Sequence, residues 1–204
     1  MGISERKLKY KESFKREILD AAKKLFLKDG FEATSIRKMA SEIRCSPATI
    51  YLYYKDKSDI FYDLHKEGFK ILIGQLEILK VIENPFDRLK TMGLVYLKFS
   101  QENSDFYELM YAKKTPEKHW DEGNKVYTML KDIILQCQKG GLLKDTDTDK
   151  VVMMIWSLLH GACMLSLQKQ LECITSDKEM ATDNTTIQSE DIFNAYLSLI
   201  TLKK

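Results

Sequence analysis

Hydrophobic residues recur at helical spacing near the start of the chain. Phe14, Ile18, Ala22 and Leu25 are separated by three or four positions, which predicts an amphipathic helix. We expect this helix to begin between residues 4 and 9 and to end just before Gly30. Glycine is common at this point because it adopts the left-handed conformation that closes a helix without steric cost.

Two shorter helices are predicted next, joined by a tight turn. The apolar stripe of the second helix consists of Ile36, Met39, Ala40 and Ile43. We expect Thr34 to cap this helix, with Ser35 in its first turn. Residues 44–45 form the turn, and Ser46 caps the third helix with Pro47 as its first residue. This is helix-turn-helix geometry, in which the last helix enters the DNA major groove.

The third helix carries side chains suited to DNA. Ile50 and Tyr54 are expected to face inward, which leaves Ala48, Thr49 and Tyr53 on the outside. Small residues allow close approach to base edges, and tyrosine or lysine side chains donate to phosphate oxygens. The residues predicted to contact DNA are Thr34, Ser35, Arg44, Ser46, Pro47, Ala48, Thr49, Tyr51, Tyr53, Lys55 and Lys57.

The remaining chain also has helical patterns, and we find no strand pattern or internal repeat. Asn84 and Pro85 mark the start of one helix, and Ser189 is expected to cap the last. Residues 149–170 are apolar nearly all round, as in a helix buried by its own domain and by a partner. Residues 173–188 are polar and are expected to form a loop. The predicted fold class is all-α, with an N-terminal three-helix domain and a larger helical domain.

Composition agrees with a folded helical protein of the cytoplasm. Of the 204 residues 44% are hydrophobic, and 9 Gly and 3 Pro provide few helix breakers. The four cysteines lack metal-type spacing, and the amino terminus lacks the apolar segment of a secretory signal. Free thiols in an unsecreted chain indicate a reducing compartment. The apolar run 151–159 is too short to span a bilayer, so no membrane partner is expected.

Positive charge is concentrated at the amino-terminal end. Residues 1–57 contain 14 Lys and Arg against 8 Asp and Glu, a net charge of +6, and the remainder has a net charge of −4. Such a basic segment suits binding to a polyanion. Lys7, Lys9, Lys11 and Lys15 crowd the first helix, where they could form either a solvated face or a phosphate-contacting face.

The segment from Phe14 to Leu64 resembles the DNA-binding domain of the TetR/AcrR family of transcriptional regulators. The resemblance rests on three groups of residues: Ala21, Ala22, Leu25, Phe26, Gly30 and Phe31; Thr34, Met39 and Ala40; and Ser46, Thr49, Ile50, Tyr51, Tyr53, Tyr54 and Lys57. One departure concerns the turn, which is Ile-Arg-Cys-Ser here and Ala-Gly-Val-Ser in the family. If the turn needs a positive φ, Arg44 carries backbone strain there.

The resemblance implies an overall organisation. Residues 1–57 would be the helix-turn-helix DNA-binding domain, and residues 58–204 a helical ligand-binding and dimerisation domain. The protein would be a homodimeric repressor that binds a palindromic, double-stranded DNA operator. By the same resemblance, the last two helices would pair with their copies, near Trp156, Leu159, His160, Cys163, Leu167, Phe193, Tyr196 and Ile200.

A ligand site is expected among methionine and aromatic side chains of the larger domain. Such side chains suit an adaptable site for a small apolar or amphipathic effector, although they are also common in an ordinary core. The predicted ligand-binding residues are Met92, Tyr96, Phe99, Tyr107, Met110, Trp120, Tyr127, Met153, Trp156 and His160. The alternative is a larger domain that binds a protein partner and no small ligand.

Catalysis is not expected from this sequence, and no cofactor or metal is predicted. The three histidines, His65, His119 and His160, are far apart and form no metal-binding motif. The chain also lacks the Gly-x-Ser-x-Gly motif that marks one common class of nucleophile.

Overall fold

The computed structural model describes residues 3–111, 121–172 and 187–201, and the all-α prediction is confirmed. No β-strand occurs in these ranges, where a single bridge joins Leu143 to Thr201. The helices are α1 (Ile3–Ala33), α2 (Ile36–Glu42), α3 (Pro47–Tyr51), α4 (Lys57–Gln75), α5 (Pro85–Glu102), α6 (Ser104–Met110), α7 (Asp121–Lys139), α8 (Thr148–Leu167) and α9 (Ser189–Ile200). A 3-10 helix, Leu76–Val81, follows α4 directly.

The described residues form two compact units. The first runs from α1 to Phe69 and also includes the segment that begins at Asp105. It therefore extends past residue 57, and the division of the chain at residues 57 and 58 stays a prediction. The second contains residues 70–104 and the described residues from Asp121 onward.

The core of the first unit joins its helices through fully buried side chains. Ile18 of α1, Met39 of α2 and Ile50 of α3 all have zero exposure. An aromatic cluster adds to this core, because the Phe26 and Phe61 rings lie 5.3 Å apart in an edge-to-face contact. The apolar faces predicted from helical spacing are thus the faces that the unit buries.

In the second unit, α5 packs against α7, α8 and α9. The contact with α9 is close at Gly93, where a Cβ atom would lie 2.1 Å from Cε1 of the buried Phe193 ring. Glycine is required at this position because the aromatic ring occupies the space of a side chain. Leu159 and Cys163 of α8 are also buried within this unit.

α8 extends beyond the apolar run of residues 151–159 at both ends. It has 20 residues and, by length and composition alone, could cross a membrane. The core helix of a water-soluble protein meets the same criterion, so this feature alone is weak support for a membrane segment.

The starts of the helices confirm two predicted caps and correct two others. Ser46 and Asn84 cap α3 and α5 as expected, each followed by proline. Ser35, and not Thr34, caps α2, and its hydroxyl accepts from the Lys38 backbone N–H. Gln188, and not Ser189, caps α9, because its side chain and that of the N3 aspartate accept from each other's backbone N–H groups in a capping box.

The turn between α2 and α3 has the strained backbone that its sequence predicts. Arg44 has a φ of 55°, in the left-handed region that favours glycine. The turn is closed by Cys45, whose backbone N–H donates to the Ala40 carbonyl at 2.9 Å. A glycine adopts the same region inside α1, since Gly30 has a φ of 80° at a kink shortly before the helix ends.

Candidate DNA-binding site

α3 is held at both ends so that its outer side stays accessible. At its start, the Ser46 hydroxyl accepts from the Thr49 backbone N–H at 3.1 Å and lies 2.9 Å from the Thr49 hydroxyl. At its other end, Ile50 is fully buried. Ala48 is therefore exposed and Thr49 half-buried. This geometry presents a small side chain and a hydroxyl on the outward face of a helix.

The tyrosines that follow have different roles. Tyr51 is 56% exposed, whereas the Tyr53 ring packs on Phe14 of α1 with a centroid distance of 5.2 Å. Tyr54 is buried and donates to Asp63 Oδ2 of α4 at 3.2 Å. Burial, and then the nearby Asp63 carboxylate, raise the pKa of Tyr54 well above its usual range. Tyr54 therefore anchors the site as a neutral donor, and Tyr51 is the most exposed of these three tyrosines.

Lys57 has a structural role that sequence reasoning missed. Its ammonium donates to the backbone carbonyls of Phe31, Glu32 and Thr34 at 2.7, 3.2 and 3.1 Å. It also lies 4.3 Å from the centroid of the Phe31 ring. These carbonyls lie at the end of α1 or just after it. The last turn of α1 contains no basic residue of its own. This lack of a basic residue is the sequence feature that could have indicated the role of Lys57, since a helix C-terminus favours a cation. The phosphate contact of Lys57 stays a prediction.

Thr34 and Ser35 lie between α1 and α2 and face different environments. Thr34 is 1% exposed, and its hydroxyl donates to the carbonyls of Gly30 at 2.8 Å and Leu25 at 3.1 Å. Its side chain therefore fastens the end of α1 and does not face solvent. Ser35 is exposed.

Several basic residues of the first unit are neutralised by carboxylates. Lys15 pairs with Asp63 at 2.7 Å, Lys38 with Asp29 at 2.9 Å, and Arg16 with Glu67. By contrast, the side chains of Arg44 and Lys55 are exposed and have no carboxylate partner in the described ranges. Unpaired cations thus flank α3 on both sides, where they suit contact with an anionic backbone.

The predicted ligand-binding residues fall in both units. Tyr107 and Met110 are buried in the first, and Met92, Tyr96 and Phe99 are buried in the second. The Trp156 Nε1–H donates to the Tyr96 hydroxyl at 3.4 Å, and the Tyr127 hydroxyl donates to Asp149 Oδ1 at 2.5 Å. Met153 is 46% exposed, and Trp120 lies outside the described residues. Burial lowers the pKa of the half-buried His160 imidazole.

A pocket of about 310 Å³ occurs elsewhere in the second unit. Its walls include Leu143, Val151, Met154, Tyr196 and Ile200, and none of the ten predicted ligand-binding residues lines it. The ligand-site assignment therefore stays a prediction.

Two parts of the chain match models of one protein family. Residues 18–64 match the model described as bacterial regulatory proteins of the tetR family. Residues 89–186 match the model described as the tetracyclin repressor-like, C-terminal domain. The first unit is a helix-turn-helix unit with an exposed third helix. The chain belongs to the TetR family of transcriptional regulators, which are soluble DNA-binding proteins.

Individual relatives support the same assignment. The fatty acid metabolism regulator protein of Bacillus subtilis (strain 168) is 33% identical over 70 residues, covering 34% of this chain and 36% of that protein. The match thus spans about a third of the relative's length.

Solved structures of similar fold extend over most of the chain. A TetR family transcription regulator from Marinobacter aquaeolei VT8 has a TM-score of 0.71 at 19% identity, covering 96% of this chain and 99% of that one. AibR in complex with isovaleryl coenzyme A and operator DNA has a TM-score of 0.68 at 18% identity, covering 91% of this chain and 97% of that one. At these identities the likeness concerns the fold.

The capping role of Lys57 is tested by comparing Lys57→Met with Lys55→Met. Lys57→Met removes three hydrogen bonds to carbonyls and is expected to lower the free energy of unfolding by about 1–2 kcal/mol. Lys55→Met removes the same charge from an exposed side chain and should change it by less than about 0.5 kcal/mol. Urea denaturation followed by circular dichroism measures both values. Equal values for the two variants would contradict the capping role.

Proposed function

We propose that this protein is a homodimeric, ligand-responsive repressor that binds a palindromic DNA operator in the cytoplasm. The observation that carries the proposal is α3, which is capped by Ser46, anchored by Ile50 and open to solvent at Ala48. Membership of the TetR family supports the regulatory role. We propose no enzymatic activity, because regulation by DNA binding accounts for the family membership of the chain and for the outward face of α3.

DNA recognition is proposed to divide between base reading and phosphate binding. Ala48 and Thr49 occupy the outward start of α3, where the helix would approach base edges in the major groove. Tyr51, Lys55 and Arg44 are exposed around it and would bind phosphates. Affinity should therefore fall steeply with salt concentration, because each neutralised phosphate releases counterions.

Homodimerisation is proposed to use exposed apolar residues of α8 and α9. Met153 is 46% exposed and Leu199 is 84% exposed. Three of the candidate interface residues, Leu159, Cys163 and Phe193, are buried within the second unit and so belong to its own core. A two-fold pair would present two copies of α3 about 34–36 Å apart, which is one turn of DNA.

The effector is proposed to be a small apolar or amphipathic molecule. Support comes from the AibR complex, which holds isovaleryl coenzyme A, and from the relative named as a fatty acid metabolism regulator. In the second unit, the Trp156 Nε1–H donates to the hydroxyl of the buried Tyr96, as in sites where a few polar groups orient a ligand. Such a ligand regulates DNA binding only if it binds the two states with different affinity.

DNA recognition by α3 is tested with Ala48→Asp, which places a carboxylate on its outward face. The duplex is first selected from a random-sequence library by the wild-type chain, and it should contain two half-sites related by symmetry. Ala48→Asp is expected to weaken binding more than 100-fold in a fluorescence anisotropy titration, because a carboxylate would face phosphates and base edges. Thr128→Asp adds the same charge to an exposed position of α7 and is the control, with a change below about twofold. Similar losses in both variants would argue against α3 as the reading helix.

The oligomeric state is tested by analytical ultracentrifugation at about 10 µM. The wild-type chain should sediment as a dimer, and Met153→Glu should raise the dimer dissociation constant at least tenfold by placing a charge in an apolar interface. Val81→Glu alters a residue that is 76% exposed at the end of the 3-10 helix and is expected to leave the dimer intact. A monomeric wild-type chain would rule out the two-half-site arrangement.

Effector binding is tested with isovaleryl coenzyme A and a long-chain fatty acid, with free coenzyme A as the control. A true effector should raise the melting temperature and weaken operator binding; at 100 times its Kd, the stabilisation is about 2.7 kcal/mol. Trp156→Phe should weaken this response, because it removes the N–H that donates to Tyr96. If neither compound shifts melting or DNA affinity, the two ligand classes are excluded and a protein partner becomes the favoured signal.

A further inference from the structure

The first turns of α1 lie outside the part of the chain that matches the family model, which begins at residue 18. α1 begins at Ile3 and is helical through this segment. Residues 5–13 are exposed, including two large apolar side chains, Leu8 and Tyr10. Since residues 5–13 are not buried in the first unit, core packing does not stabilise this part of the helix. Its role must therefore lie elsewhere than in the core.

An aromatic stack connects this segment to the recognition region. Tyr10 is 69% exposed, and its ring stacks on Phe14 with a centroid distance of 6.4 Å and an interplanar angle of 17°. Phe14 in turn contacts Tyr53, which follows the end of α3. The face of α1 that carries Phe14 and Tyr10 is therefore the face adjacent to the end of α3.

Charge is distributed unevenly around the segment. A helix turns about 100° per residue, which places Lys7, Tyr10 and Lys11 within about 60° of Phe14. The same geometry places Glu5, Glu12 and Lys9 about 140–180° away, on the opposite side. The face that leads from the end of α3 is thus basic and aromatic, and both carboxylates of the segment lie behind it.

The basic residues of this face are available for binding. Lys7 and Lys11 are exposed, and no carboxylate of the described ranges pairs with either of them. Lys15, one turn further on, is instead paired with Asp63 at 2.7 Å. With a rise of about 1.5 Å per residue, Lys11 and Lys7 lie roughly 5 and 10 Å along the axis from Phe14. They therefore extend the basic surface outward from α3.

We propose that the amino-terminal face of α1 formed by Lys7, Tyr10 and Lys11 is a second DNA-contacting element, which binds phosphates flanking the half-site read by α3. This inference rests on the proposed function, because it assumes that α3 binds DNA. It assigns to the segment a role in affinity and in footprint length, and none in base reading. An exposed tyrosine between two lysines suits this role, since its hydroxyl donates to phosphate oxygens.

The experiment compares Lys7→Gln/Lys11→Gln with Lys9→Gln in the full-length chain. Binding to the selected duplex is titrated by fluorescence anisotropy at several salt concentrations, with long flanks and with flanks trimmed to the half-sites. On the long duplex, the double variant should lower the slope of log Kd against log salt by about 1.8 per protomer, or 0.9 for each phosphate contact. Lys9→Gln removes a charge from the opposite side of the same helix and should leave the slope unchanged within error. On the trimmed duplex, the wild-type chain and the double variant should have equal slopes.

The outcomes separate this inference from the proposed function. If the wild-type chain selects no duplex, or if Ala48→Asp binds as well as the wild type, the proposed function itself fails. If α3-dependent binding is present but the double variant matches Lys9→Gln on the long duplex, the flanking contact is overturned. Binding of the wild type to phosphatidylserine vesicles that the double variant loses, with unchanged DNA slopes, would overturn it in favour of a membrane surface. Circular dichroism should show equal helix content in all variants, because glutamine and lysine have similar helix propensities.

Discussion

A helix of five residues does not hold its shape in water without help from its surroundings. α3 is such a helix, and isolated helices remain marginal until they reach about 12–15 residues. Its geometry therefore comes from the contacts at its ends and on its inner side. Ser46 accepts from the Thr49 backbone N–H, Ile50 anchors the carboxyl-terminal end, and Tyr54 fastens the following turn to Asp63. The outer face can then carry small or polar side chains, because the position of the helix does not depend on burying them.

The basic residues of the first unit also divide into two groups, those that bind other groups of the unit and those that remain exposed. Lys15 and Lys38 are engaged with carboxylates, and Lys57 closes the end of α1. The net charge of +6 in residues 1–57 therefore overstates the charge that is free to meet a polyanion. What matters for association is the position of the unpaired cations, such as Lys55 beside α3. Surface ion pairs of this kind add little stability, and their main effect here is to direct where positive charge remains exposed.

Sequence reasoning succeeded where the controlling interaction is local. The caps at Ser46 and Asn84 each involve residues within three positions, and proline follows both of them. The strain at Arg44 was likewise predictable from its place in a tight turn. The helical periodicity that identified the buried faces of α1 and α2 is also a local property.

Prediction from the sequence failed where two neighbouring residues could both cap a helix, or where the hydrogen-bond partner is distant in sequence. Thr34 and Ser35 are both good caps, and Thr34 is withdrawn from that role because its hydroxyl reaches the carbonyls at the end of α1. Lys57 binds carbonyls more than twenty positions earlier, which periodicity does not reveal. For the predicted ligand-binding residues, the sequence could not distinguish a ligand site from a core. Methionine and aromatic side chains fill an ordinary core as readily as they line a ligand site.

The contact between Gly93 and Phe193 has a consequence for how this protein can change over time. The two positions lie a hundred residues apart along the chain but share a single volume, since the aromatic ring fills the space beside the glycine. A larger residue at position 93 is compatible with this packing only if the residue at position 193 is smaller than phenylalanine. The residues at positions 93 and 193 are therefore expected to covary. Related sequences with a larger residue at position 93 should have a smaller one at position 193.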